Sequence, residues 1–309
     1  MVARILRLSL VLAVAAPVLA SAQGRLNVVA TTEDLGALAR EVGGDKVTVT
    51  ALAKGYQDPH FVDPKPSFIL AVSRADVLIV VGRELEIGWL PPLLGSSRNA
   101  KVQPGSNGYL DASMTVRILD IPAGQITRAM GDVHPFGNPH YWLEPGNGRK
   151  MAGAIRDKLS EVSSANAAYF AERYTDFDAR LAAAEKRWDG AMAPYKGTKI
   201  VTYHRSWPNF MERFGLNVMG YVEPKPGIPP SPSHTLELIQ DMKAQGVKII
   251  VVEPYFDLRT PQSIATQAGG TVVVMAPSVG GAKDASDYIQ LFEYDVNLLA
   301  GALKQTTGK

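Results

Sequence analysis

The sequence predicts two doubly wound α/β lobes with parallel-rich sheets, joined by one long helix. Three observations carry that expectation. Short apolar strand runs alternate with helical patterns in both halves of the 309 residues, the signature of parallel sheets covered by helices. The run from Val77 to Val81 is unbroken and apolar, as suits a strand covered on both faces. Between the halves, Phe170, Tyr174, Phe177, Leu181, Ala184 and Trp188 recur at alternating spacings of four and three, the stripe of a continuous helix.

Taken in order, residues 26–30 form a β-type run, and Thr31-Thr32-Glu33-Asp34 is a helix start signal. Leu35, Leu38, Ala39 and Val42 then recur at helical spacing until Gly43-Gly44 stops them. Residues 47–52 read as a second strand, 54–66 as a loop rich in Gly, Pro and Asp, 66–72 as a short helix, 75–82 as a strand and 86–94 as another short helix. Residues 96–138 are less regular, with short strands and a long loop expected. Helices follow over 148–162 and 165–192. The second would run roughly 40 Å at 1.5 Å per residue, and is expected to serve as a backbone shared by both halves rather than as a coiled-coil dimer seam. The second series places strands at 199–203, 218–222, 247–252 and 271–275, with helices at 207–214, 236–245, 261–268 and 284–303. No repeat is visible residue by residue.

Residues 1–22 read as a secretory signal: Arg4 and Arg7, an apolar run from Leu8 to Leu19, then Ala20-Ser21-Ala22 as a small-x-small cleavage site. The expected organisation is therefore a signal peptide (1–22), an N-terminal lobe (23–147), connecting helices (148–193) and a C-terminal lobe (194–309). The leader holds two of the 32 basic residues and none of the 30 acidic ones, so the mature chain is balanced in charge. Nothing points to nucleic acid or to an anionic membrane surface. There is no cysteine, so disulfides are excluded and a metal would be held by nitrogen and oxygen alone.

Ligands of open α/β sheets sit outside the carboxyl ends of the strands. His204, Glu223 and Glu253 each fall at such an end. His60 follows a strand in Asp58-Pro59-His60, and His140 lies in Asn138-Pro139-His140, just before the connecting helices. These groups converge on one interlobe cleft if the two sheets face each other by these edges, and such a cleft suits hinge-like closing around a ligand. Three imidazoles with a carboxylate or water suit tetrahedral Zn²⁺. The histidines are far apart in sequence, so no local motif such as H-E-x-x-H is present.

The stretches Asp58-Pro59-His60-Phe61-Val62-Asp63-Pro64, Asn138-Pro139-His140-Tyr141-Trp142-Leu143-Glu144-Pro145 and His204-Arg205-Ser206-Trp207-Pro208-Asn209-Phe210 resemble the metal-binding receptors of ABC importers for zinc and manganese. The resemblance covers the whole mature chain. It implies a periplasmic solute-binding protein, expected to be monomeric, that delivers Zn²⁺, or secondly Mn²⁺, to an ABC-type permease in the inner membrane and catalyses nothing. It also implies His60, His140 and His204 as the first three metal ligands. Relatives usually place an aspartate after the last strand, where this chain has Ala276-Pro277-Ser278. Glu253 is the expected replacement, with Glu223, Asp257 or water as alternatives. Histidine at the third position, where manganese-preferring relatives often carry Glu, favours zinc. His134 is expected to be a loop residue and His234 a structural or exposed one. The competing expectations are an exported zinc hydrolase, with three histidines and a water on the ion and Glu253 as base, and an organic-solute receptor or adhesin on the same scaffold.

Overall fold

The structure is a computed structural model that describes residues 24–308 apart from Gln125, Arg128, Ala129 and Asp132. The expected signal segment lies outside the described residues. The first lobe contains β1 (Leu26–Ala30), α1 (Glu33–Gly43), β2 (Val47–Ala51), α2 (Pro66–Ser73), β3 (Val77–Val80), α3 (Leu90–Ser97) and β4 (Tyr109–Asp111). Helices α4 (Pro145–Val162) and α5 (Ala167–Met192) follow. The second lobe contains β5 (Lys199–Thr202), α6 (Pro208–Phe214), β6 (Asn217–Tyr221), α7 (Pro232–Gln245), β7 (Ile249–Val252), α8 (Arg259–Ala268), β8 (Thr271–Val274) and α9 (Tyr288–Thr307). The strand orders are β2-β1-β3-β4 and β6-β5-β7-β8, and every pairing is parallel. Each sheet thus reverses its winding once, between β1 and β3 and between β5 and β7. The crevice at such a reversal is where doubly wound sheets bind ligands.

Alternation along the strands divides the interior into three layers. Val77 and Ile79 of β3 and Ile249 and Val251 of β7 face a central apolar cluster. Leu78 and Val80 face an outer cluster under α2 and α3. Ile250 and Val252 face another under α7 and α8. The central cluster runs unbroken from the first sheet to the second, through Leu38 of α1, Ile155 of α4, Phe177 and Leu181 of α5, Phe210 of α6 and Phe292 of α9. The two lobes therefore share one core.

Helix α5 is the spine of that core. Phe170, Phe177, Leu181, Ala184 and Trp188 of the expected stripe are buried, which uses up the surface a coiled-coil seam would need. Its polar side ties both lobes. Arg173 donates to the Glu41 carbonyl at 2.8 Å and Arg180 pairs with the Glu41 carboxylate, both at the end of α1. The Trp188 indole donates to Glu293 of α9 at 2.9 Å. Gly148 is required where α4 crosses α9, because a Cβ there would collide with the Tyr288 ring.

Of the helix boundaries that differ from expectation, three have a clear local reason. The helix expected over 86–94 forms at Leu90–Ser97, because Pro91 and Pro92 suit first-turn positions that need no N–H partner. Glu86 stays in the preceding loop, where its carboxylate accepts from the Val81 and Gly82 N–H groups and the Thr31 hydroxyl. Helix α7 starts earlier, at Pro232, capped by Ser231. His234, expected to be structural or exposed, therefore sits on this helix, with Nε2 2.9 Å from the Tyr221 carbonyl. Helix α9 starts later, at Tyr288, where Asp287 caps it through the Gln290 N–H. Among the described residues no helix is long and apolar enough to cross a membrane.

Candidate metal centre

The two x-Pro-His segments share one local device. Asp58 Oδ1 accepts from the backbone N–H of His60 at 2.9 Å and lies 2.7 Å from His60 Nδ1. Asn138 Oδ1 does the same for His140, at 2.9 Å to both nitrogens. The side chain two residues earlier reaches over the proline and fixes both the turn and the ring. Each loop is then anchored from outside: the Trp89 indole donates to the Pro59 carbonyl at 2.9 Å, and Asn138 Nδ2 donates to the Arg205 carbonyl at 2.8 Å. His204 follows β5, and its Nδ1 lies 2.7 Å from Glu223 Oε2, after β6.

All three rings thus commit Nδ1 to an oxygen acceptor, which leaves Nε2 as the atom to bind an ion. This is the arrangement by which an outer partner fixes the tautomer and orientation of a metal-binding imidazole. The rings meet: centroid separations are 5.1 Å for His60 and His140, 5.5 Å for His60 and His204, and 5.4 Å for His140 and His204. Their donor nitrogens all lie within 4.8 Å of one another. His140 Nε2 is fully buried and has no hydrogen-bond partner among the described residues. An orphaned polar atom at the focus of three imidazoles suits a cation.

Electrostatics favours the same occupant. Burial and the neighbouring imidazoles hold His140 well below the usual histidine range, so its lone pair stays available. Burial also pulls His204 down, but the hydrogen bond to Glu223 and the fields of Glu253, Glu223 and Asp58 carry it above the usual value. Burial would raise Asp58, yet its hydrogen bond and attraction to His60 keep it lowered. A cluster of imidazoles ringed by carboxylates stabilises an added positive ion.

Glu253 is fully buried, and its Oε1 accepts from the Trp207 indole at 3.0 Å. It is not among the donors that lie within 4.8 Å of one another; burial raises its carboxyl, opposed by the field of His204. Glu223 is occupied with His204. Asp257 is exposed and paired with Arg259. After β8, Ser278 faces away from an ion-binding role: its hydroxyl and the Val279 N–H both donate to Asp34, a fully buried carboxylate at the start of α1. The lobes touch there backbone to backbone, and a Cβ on Gly55 would collide with the Val279 carbonyl oxygen. This seam, spanning 244 positions of sequence between Asp34 and Ser278, had no signal in the sequence. Nor did the position of His134, whose Nε2 is 3.1 Å from His60 Nε2.

The match to known proteins agrees with this geometry. Residues 28–302 match the family described as zinc-uptake complex component A, periplasmic (ZnuA). The chain belongs to this family. Among curated relatives of the ZnuA family, the zinc-binding lipoprotein AdcA of Streptococcus pneumoniae serotype 4 is 25% identical over 296 residues. That alignment covers 93% of this chain and 56% of AdcA, so the chain spans little more than half of that relative. The metal ABC transporter substrate-binding lipoprotein SloC of Streptococcus mutans serotype c is 24% identical, covering 92% of each chain. A crystal structure of ZnuA superposes with a TM-score of 0.75 at 22% identity, over 90% of this chain and 99% of that one. It has the same two-lobe fold.

Proposed function

We propose that this protein is an exported, monomeric receptor that captures a divalent metal ion in the interlobe crevice and passes it to an ABC-type permease of the inner membrane. Zinc is the preferred cargo and manganese the second. The division into a signal segment (1–22), lobes at 23–147 and 194–309 and a joining segment at 148–193 belongs to the same reading. AdcA, by name a zinc-binding lipoprotein, and SloC, by name the substrate-binding component of a metal ABC transporter, support it.

The observation that carries the proposal is the convergence of His60, His140 and His204 with each Nδ1 already held by an oxygen. Nitrogen donors favour zinc over manganese, which prefers oxygen. Glu253, considered as a fourth ligand, is assigned a charge beside His204: its field raises that imidazole, the Trp207 indole holds one of its oxygens, and it lies outside the triad's donor set, although its second oxygen is buried without a partner among the described residues.

The test is a metal titration followed by thermal melting. An ion present at a hundred times its Kd stabilises by about 2.7 kcal/mol, a rise of roughly 5–10 °C for a chain of this size. The double substitution His60→Ala, His140→Ala should abolish that rise while leaving the metal-free melt close to wild type. An unchanged zinc response in the double variant would refute the site. Sustained hydrolytic turnover by zinc-loaded protein, lost on chelation, would refute the receptor role.

A further inference from the structure

His134 stands apart from the expected ligand set, yet it faces the same point. Its ring stacks on His60 with centroids 5.2 Å apart, and the two Nε2 atoms lie 3.1 Å apart. The other nitrogen of each ring is spoken for. His60 Nδ1 donates to the Asp58 carboxylate. The His134 ring also hydrogen-bonds the Arg83 backbone. The two Nε2 atoms then face each other at hydrogen-bond distance. A shared cation, a proton or a metal ion, satisfies both.

The distance decides between a chance contact and a coordination edge. Zinc–imidazole bonds of about 2.0–2.1 Å in a tetrahedron put neighbouring nitrogens about 3.3–3.4 Å apart. The His60–His134 pair is already near that separation, whereas the triad's donors are bounded only by 4.8 Å. His134 also meets His140 edge to face, with ring centroids 6.3 Å apart, but it lies outside the triad's donor set, so loading an ion has to draw its donor toward His140 and His204. A second observation places it on the path the ion takes. A cavity of about 620 Å³ is lined by His60, Phe61, Trp89 and His134, and a smaller one of about 70 Å³ by His134, His140 and His204. His134 lines both, so it stands between the wide outer cleft and the inner pair of imidazoles.

We propose that His134 is the fourth metal ligand, completing an all-imidazole sphere with His60, His140 and His204 in place of a carboxylate. This rests on the metal-receptor reading and deepens it: the site is built for an ion that accepts four nitrogens, zinc rather than manganese. His134 closes the sphere from the side facing the outer cavity, and is the donor that an arriving ion meets together with His60.

The experiment is X-ray absorption at the zinc edge on the zinc-loaded full chain, with zinc and manganese affinities of wild type and His134→Ala measured by competition against a chromogenic chelator. The expected wild-type spectrum fits four imidazoles, falling to three in the variant. Zinc affinity should fall 10- to 100-fold in the variant, with manganese affinity changed less than threefold. A wild-type spectrum with three imidazoles, unaltered by His134→Ala, overturns this assignment and leaves the receptor reading standing. Failure of the wild type to bind zinc overturns both. Because the wild-type spectrum is itself decisive, the test does not depend on the variant folding.

Discussion

The seam between the lobes is held by a carboxylate whose ionisation should be visible in stability. Asp34 is completely buried, and burial pushes its carboxyl from 3.8 up to about 7, against the hydrogen bonds from Ser278 and Val279. Below about pH 4 both folded and unfolded chains carry the proton and this group contributes no pH dependence. Between there and about pH 7 the unfolded chain releases the proton while the native state keeps it. The stability contributed by protonated Asp34 is therefore fully present below the unfolded value and is lost as pH rises to the folded value. At about 1.4 kcal/mol per pH unit the whole window is worth roughly 4 kcal/mol. Asp34→Asn removes the titration while keeping an oxygen for the Val279 N–H and supplying a donor for the Ser278 hydroxyl. Urea denaturation of both proteins, with a chelator present so that metal binding does not contribute, should show the variant gaining roughly 3–4 kcal/mol on wild type between about pH 4.5 and pH 8. Glu86, also buried and raised to about 7, titrates in both proteins and cancels in the comparison. Stability curves that run parallel across that range would refute the argument, because Asp34 would then ionise as freely in the seam as in the unfolded chain.

Other expectations follow from contacts already described. Glu223→Gln keeps an acceptor for His204 Nδ1 but removes the charge, and should weaken zinc binding by about 10- to 100-fold in a chelator competition, with the fold unchanged by circular dichroism. Gly148→Ala forces a methyl against the Tyr288 ring and should cost about 1–3 kcal/mol in thermal or urea unfolding. Phe177→Ala should cost about 3–5 kcal/mol. Because Phe177 lies in the cluster common to both lobes, the loss should lower a single transition rather than split one lobe's melting from the other's, as calorimetry can show.

Much of the fold was legible because its signals are local. The apolar run of β3 and the four-three stripe of α5 state both their structure and their burial. The x-Pro-His segments were legible as well, although the reason is clear only in three dimensions: Asp58 and Asn138 each reach over a proline to fix a ring. What stayed hidden depends on approaches over long separations or on competing local rules. Pro91 and Pro92 moved the start of α3 away from Glu86, where the helix was expected to begin. Asp34 and Ser278 carry no mark of their pairing, and no periodicity could say that a loop histidine at 134 comes within 3.1 Å of His60. The fourth position was the least legible part of the site, because a missing aspartate after β8 says nothing about which group takes its place.

The common core has a bearing on how cargo leaves. Parting the two sheets widely would tear open a packed interior that α5 and its neighbours fill from one side to the other, exposing large side chains such as Phe177, Phe210 and Phe292. In the proposed receptor, unloading is therefore expected as a small event at the rim, a swing of one or two loops that loosens a few bonds to the ion. A partner could trigger it with a light touch beside the crevice, with no need to pry the molecule apart.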